Sequence, residues 1–346
     1  MGINETFRLA IYWLLFFLIC LGLGYPTLNR VDVQRACVDS IGYFETVTGT
    51  PAHPEDRGLF GTRVLVPWVA RPFYWLSRGR IGSWDPVAFG MLVSNSLFTA
   101  TGALLLLLLG EKHTITHSTA LIGTLLYFLN PTIPNRQLGC GLVESGESLF
   151  MMALFWAVFE HRLFLLPMVG LLGALAKESF VPLAALGITF WGIAEYRTGR
   201  WKLSHTFWAA SMILIGLATT VVLQFMSTAH FLWPWEYAGT LRERDVSLLR
   251  GFMRCLTDRY FWYVFGWLLP LGVVRLGTFP RTWLYGSLGG VAAALAMGAW
   301  NDAAGNTVPS IFNSIGTILS LSAASLLSEW QLGRGKNHTS QSAEKC

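Results

Sequence analysis

Apolar runs recur from one end of this chain to the other and leave little room for anything but membrane helices. Ten can be marked: 7–25, 87–109, 115–130, 146–160, 163–176, 179–195, 205–226, 260–275, 283–299 and 308–328. A helix of roughly 17–25 mostly apolar residues spans a bilayer because it bonds all its backbone polar groups internally. Only 13% of the 346 residues are charged, where soluble domains carry about 25%. That charge cannot cover a water-facing surface of this size. The expected fold class is all-α, a polytopic transmembrane helical bundle of about ten spans, with residues 1–330 as a single domain.

Charge placement orients the expected bundle. With the N-terminus cytoplasmic, the short cytoplasmic loops carry Lys112, Arg162, Arg197, Arg200, Lys202, Arg275 and Arg281. The short loops on the other side carry Arg136 and Lys177. This is the positive-inside bias, and fusing the fifth and sixth runs into one broken helix would reverse it. The first run ends at "ICLGLGYP" with no small-x-small cleavage site, so it is expected to stay as a span. Two long outer loops remain, 26–86 and 227–259. In the first, "RVLVPWVARPFYWLSRGR" is too short and too rich in Arg to cross. It reads as an amphipathic interfacial helix, bent or interrupted by Pro67 and Pro72. The segment 331–346 reads as a disordered cytoplasmic tail.

Several function classes drop out. The net charge of +5 contains no dense basic run, so no nucleic-acid partner is expected. The five Cys show no CxxC spacing and no paired His, so no metal site is expected. Cys37, Cys140 and Cys255 share the outer side, which leaves a disulfide between two of them open.

The costly polar residues gather on that same outer side. Asp39, Tyr43 and Arg63 lie in the first loop, and Glu144 and Glu147 begin the fourth run. Lys177 and Glu178 sit at the turn between two apolar runs, "GALAKESFVPLAALG". Trp235, Glu236, Arg242 and Arg244 occupy the second long loop, and Asn301 precedes the last run. Ionisable residues at a membrane edge are costly and point to function. Arg presents a planar fork that matches phosphate, and Lys acts as a point charge. A carboxylate such as Asp39 supplies a base for a hydroxyl nucleophile.

These segments resemble the membrane-embedded C-type (GT-C) glycosyltransferases, which use polyprenyl-phosphate sugars. "ACVDSIGYFETVTGT" is similar to their first outer loop, through Asp39, Tyr43 and Gly49. "GTRVLVPWVARPFYWLS" resembles an Arg-x-Leu-x-Pro segment of bacterial members, through Arg63, Leu65 and Pro67. "GLLGALAKESFVPLAAL" looks like their hairpin motif, through Gly173, Leu175, Ala176, Lys177, Glu178 and Ser179. The resemblance runs from about residue 5 to 200. It implies an enzyme of a bacterial inner membrane, with both termini cytoplasmic. Its partners would be membrane lipids, a polyprenyl-phosphate sugar donor and a lipid-linked, glycan or protein acceptor. Asp39 would be the general base. Lys177, Arg63, Arg242 and Arg244 would hold the donor phosphate, with Tyr43, Glu147, Glu178, Trp235, Glu236 and Asn301 in the pocket. Some members use a divalent metal and others do not, so no cofactor is fixed.

A plainer role stands beside each assignment. Lys177-Glu178 can be a solvated turn whose charges suit the flanking helix ends. Asp39 can be a helix cap. Arg63 can extend its charge to the interface. Arg242 and Arg244 can bind lipid headgroups, and Trp233 and Trp235 can belong to an interfacial belt. Three rival classes also remain: a transporter or flippase, a non-catalytic lipid-binding subunit, and an O-antigen-type polymerase or ligase.

Overall fold

The computed structural model describes residues 3–29, 40–49, 59–113, 116–228, 230–233, 236, 239, 247–301 and 304–343. Among them there is no strand. Helix α1 spans Ile3–Gly24, and two short helices follow, α2 (Ser40–Thr48) and α3 (Leu65–Ser77). Then come α4 (Pro86–His113), α5 (His117–Leu129), α6 (Glu144–Phe159), α7 (Leu166–Ala176), α8 (Phe180–Arg197) and α9 (Leu203–Thr228). The last part holds α10 (Leu248–Thr257), α11 (Arg259–Val273), α12 (Arg281–Asn301), α13 (Ala304–Ile311) and α14 (Thr317–Ala343). Two π-helical turns interrupt the series, at Ile133–Gln137 and Phe312–Gly316.

Helices thus occupy every apolar run. Four stretches are long and apolar enough to cross a membrane: Asn4–Asn29, Pro86–His113, Leu203–Thr228 and Thr307–Trp330. They mark the chain as a membrane protein. Burial ranks them. The apolar windows of α4 and of the last stretch are 72% and 83% buried, and those of α1 and α9 only 17%. So α4 and α14 form the centre and α1 and α9 the periphery. The main packed pairs are α8 with α12, α7 with α9, α3 with α4, and α5 with α14.

Side-chain pairs show that the helices alternate in direction. Arg8 meets Glu111 at 3.5 Å, Lys112 meets Glu160 at 2.5 Å, and Arg275 pairs with Glu329. Tyr12 meets His117 at 2.8 Å. These contacts collect the starts of α1 and α5, the ends of α4, α6 and α11, and the middle of α14 around Glu329 at one end of the bundle. The α7–α8 turn lies at the other, with α2 and α3 beside it.

Two expectations are narrowed. Helix α3 is continuous from Leu65 through Pro67 and Pro72. Pro67 lies in the first turn, where no N–H is needed, and Pro72 forfeits one bond on the exposed side. Trp68, Trp75 and Leu76 are exposed while Val66, Pro67 and Ala70 are buried, so α3 is amphipathic as expected. Cys140 and Cys255 are buried and are not joined to each other by a disulfide; Cys37 lies outside the described residues.

Close approach between α8 and α12 depends on Gly289, where a Cβ would lie 2.4 Å from the Leu186 carbonyl oxygen. Gly289→Val should therefore destabilise the bundle by about 1–3 kcal/mol, as overpacking does. A melting curve in detergent that matches the wild type would contradict this packing.

Candidate functional site

The turn between α7 and α8 builds the centre of the site. Lys177 N–H donates to the Gly173 carbonyl at 2.9 Å, closing α7, and Phe180 N–H donates to the Lys177 carbonyl at 3.0 Å, opening α8. The turn is tight because Phe180 folds over Gly173, where a Cβ would lie 2.3 Å from the ring. This gives the glycine of "GALAKESF" a steric reason. Extended backbone at Lys177 (φ −164°, ψ 130°) aims its side chain back into the bundle.

Arg63 reaches the same turn from the first long loop. Its neighbour Val64 donates its N–H to the Leu175 carbonyl at 3.0 Å, and Ser94 on α4 donates to the Val66 carbonyl at 2.8 Å. So anchored, Arg63 bonds the Glu178 carboxylate through Nε at 2.8 Å and Nη2 at 2.5 Å. Its Nη1 donates to the Tyr43 hydroxyl at 2.8 Å. Tyr43 on α2 is buried.

Lys177 has a different environment. It is only 4% exposed. Its Nζ lies 3.7 Å from Glu144 Oε1 and 3.6 Å from Glu147 Oε2. Those are ion pairs too long for hydrogen bonds. Glu147 is already well satisfied. Ser310 Oγ and Asn313 Nδ2 donate to its Oε1 at 2.8 and 2.9 Å, and Ser179 Oγ donates to its Oε2. Asn313 in turn accepts from Gln137 Nε2 at 3.1 Å, and Gln137 Oε1 accepts from Tyr127 at 3.0 Å. A polar chain therefore descends from the turn into the core. Both π turns contribute to it, one through Gln137 and the other through Asn313.

Asn95 sets the depth of α6. Its Nδ2 donates to the Gly139 and Leu142 carbonyls at 2.9 and 3.0 Å, and its Oδ1 accepts from Ser145 at 2.6 Å. That places Glu144 and Glu147 in the first turn of a buried helix, where the helix dipole favours their charge.

A cavity of about 90 Å³ opens beside these groups. Arg63, Lys177, Glu178 and Ser179 line it on one side, and Asn301, Thr307 and Ser310 on the other. It has room for several waters or one small anion.

Burial opposes charge on both turn residues. At Lys177 the Glu147 and Glu144 carboxylates more than offset burial, and the ammonium pKa lies above the ordinary lysine value. At Glu178 the Arg63 guanidinium more than offsets burial, and the carboxyl lies below the ordinary carboxylate range. Both groups stay ionised through neutral pH.

The residues singled out in the sequence divide into three groups. Tyr43, Arg63, Glu147, Lys177, Glu178 and Asn301 gather at this end, all in the cluster or on the cavity wall. Glu236 does not join them. It is exposed and accepts the Trp233 N–H at 2.8 Å, a local bond that holds its own short segment. Asp39, Trp235, Arg242 and Arg244 lie outside the described residues. Sequence reasoning missed Tyr127, Gln137, Ser310 and Asn313. The small polar residues in "SIFNSIG" were the available signal. No group of three or more His, Cys, Asp or Glu able to hold a metal occurs among the described residues.

No family model, curated protein or solved structure matches the chain.

Removing one partner of a buried ion pair strands the other, at about 3–5 kcal/mol. Arg63→Met and Glu178→Met should each lower stability on that scale, and the double variant should recover part of it. A double-mutant cycle with additive losses would contradict the pair. The pH signs follow from the shifts. The Glu178 contribution is present above the ordinary carboxylate pKa of about 4.3 and fades as pH falls through its lowered folded value. The Lys177 contribution is present below about 10.4 and fades as pH rises through its raised value. Between these limits the Arg63–Glu178 and Lys177 cluster should add no slope to melting temperature against pH, so Arg63→Met and the wild type should differ by a constant amount there.

Proposed function

We propose that the protein is a membrane glycosyltransferase that moves a sugar from a polyprenyl-phosphate donor to an acceptor hydroxyl. The observation that carries this is the meeting of three segments far apart in sequence. Tyr43, Arg63 and the Lys177-Glu178 turn are linked through Arg63, which bonds both Tyr43 and Glu178. Those are the segments in which the chain resembles the C-type enzymes. In this reading about ten helices span a bacterial inner membrane, both termini are cytoplasmic, and the cavity faces the outer side.

Asp39 would take the acceptor proton as the hydroxyl attacks the anomeric carbon and polyprenyl phosphate departs. Lys177 is the group to meet the charge that develops on the departing phosphate. Its ammonium borders the cavity and makes no hydrogen bond among the described residues. A preorganised cation in a site that excludes water stabilises such charge strongly. Arg63, with Glu178 and Tyr43 attached, holds the turn in place.

The charge balance adds a condition. Arg63 and Lys177 face Glu144, Glu147 and Glu178 in the described cluster, two cations against three carboxylates. An anionic donor would add to that surplus, so Lys177 is the cation on which its binding depends.

A second reading draws on the interior chain Glu147–Asn313–Gln137–Tyr127. Polar groups in a membrane interior serve transporters as pathways. Glu147→Gln would then stop movement of substrate into proteoliposomes, and Asp39→Asn would leave it intact.

For the transferase, Asp39→Asn should abolish turnover while leaving melting temperature and donor binding close to wild type. Full turnover in that variant removes the base. Lys177→Ala should weaken binding of a polyprenyl-phosphate sugar by about tenfold or more, the scale of a charge-assisted contact. Donor binding by Lys177→Ala equal to that of the wild type would remove the phosphate role from Lys177.

A further inference from the structure

A second cavity lies at the opposite end of the bundle, about 470 Å³ in volume. His161, Lys202 and His205 line it, with Ser204, Trp208 and Phe164. None of the three basic side chains has a hydrogen bond or ion pair among the described residues, and His205 Nδ1 is buried without a partner. This sets them apart from their neighbours at the same end. Arg8, Lys112, Arg200 and Arg275 each have a carboxylate, in Glu111, Glu160, Glu195 and Glu329. Glu195, the carboxylate that acts on His205, is itself engaged by Arg200 at 3.8 Å.

The cavity sits where α9 begins, so the positive end of a 26-residue helix adds to the field. His161 turns the chain at the end of α6 with a left-handed backbone (φ 54°), which brings its ring to the cavity rim. Trp191 and Trp201 brace His205 at ring distances of 5.7 and 5.4 Å.

What leads away from the cavity is apolar. Phe164, Met168 and Leu171 are exposed at helical spacing along α7 and the short turn before it. Leu203, Phe207 and Leu214 do the same along α9. The two helices pack side by side, so the exposed stripes form one wall beneath a cationic recess.

We infer that this recess binds the headgroup of an anionic glycerophospholipid whose acyl chains lie along α7 and α9. The phosphodiester supplies the acceptor oxygens that three unpartnered basic groups lack, and the volume suits a headgroup. A soluble anion would use the recess but leave the wall bare. The site is separate from the proposed transferase centre and does not depend on it.

Native mass spectrometry of the full chain, released from micelles doped with phosphatidylglycerol or phosphatidylcholine, tests this. Phosphatidylglycerol should be retained preferentially and raise the melting temperature. Lys202→Gln should weaken retention about fivefold, one surface cation's worth. Adding His161→Asn, which tolerates the left-handed backbone, should weaken it further. Both positions are exposed, so the melting temperature in phosphatidylcholine should stay at the wild-type value. Equal retention of the two lipids overturns the proposal, as does wild-type retention in the double variant. Displacement of the lipid by millimolar glycerol phosphate would also overturn it, by showing a soluble-anion site.

Discussion

The Arg63–Glu178 ion pair ties the two parts of the chain that have the least reason to stay together. Arg63 belongs to a long loop and Glu178 to a turn between two short helices, 115 positions apart. Val64 and Val66 beside Arg63 and Phe180 beside Glu178 are buried, so apolar packing places both segments but does not fix their register to each other. A bidentate bond between two mostly buried side chains supplies that register, because it is directional. Tyr43, bound to the same guanidinium, brings α2 into the arrangement. Without that junction the cavity would lose one wall.

The second constraint is the cost of polar groups in a sparsely charged interior. The solution is to satisfy almost every partner of Glu147, with Ser179, Ser310 and Asn313 all donating to it. A fully satisfied carboxylate is rigid, and its rigidity passes to Lys177. Lys177 itself is held by charge and not by hydrogen bonds. A cation held by charge alone can be shared with a ligand at little cost, because no directional bond must be broken.

Much of the helical layout is legible in the sequence, because apolar runs and their charged caps are local signals. The hairpin is legible too, since a lysine and a glutamate set between two apolar runs mark a place where the chain turns back at the membrane edge. The burial of that lysine is not. The pairing of Lys177 with Glu144 and Glu147 depends on how deep α6 sits, and Asn95 decides that from another helix. The contact between Gln137 and Asn313 spans 176 positions, and nothing in either segment announces the other. Pro72 misleads in the opposite direction. Its ring signals a helix break, yet the exposed side of a packed helix absorbs the missing bond.

The turn Phe312–Gly316 has a consequence of its own. A π turn holds one residue more than the α-helix it replaces. That surplus residue lets Asn313 and Ser310 both face Glu147 while Phe312 still stacks on Tyr127. Loss of a single codon there would straighten the helix and rotate everything beyond it by about 100°. The chain therefore carries a polar core whose assembly hangs on the helical register set by one residue: a one-residue deletion would dissolve it while leaving the hydropathy profile almost untouched.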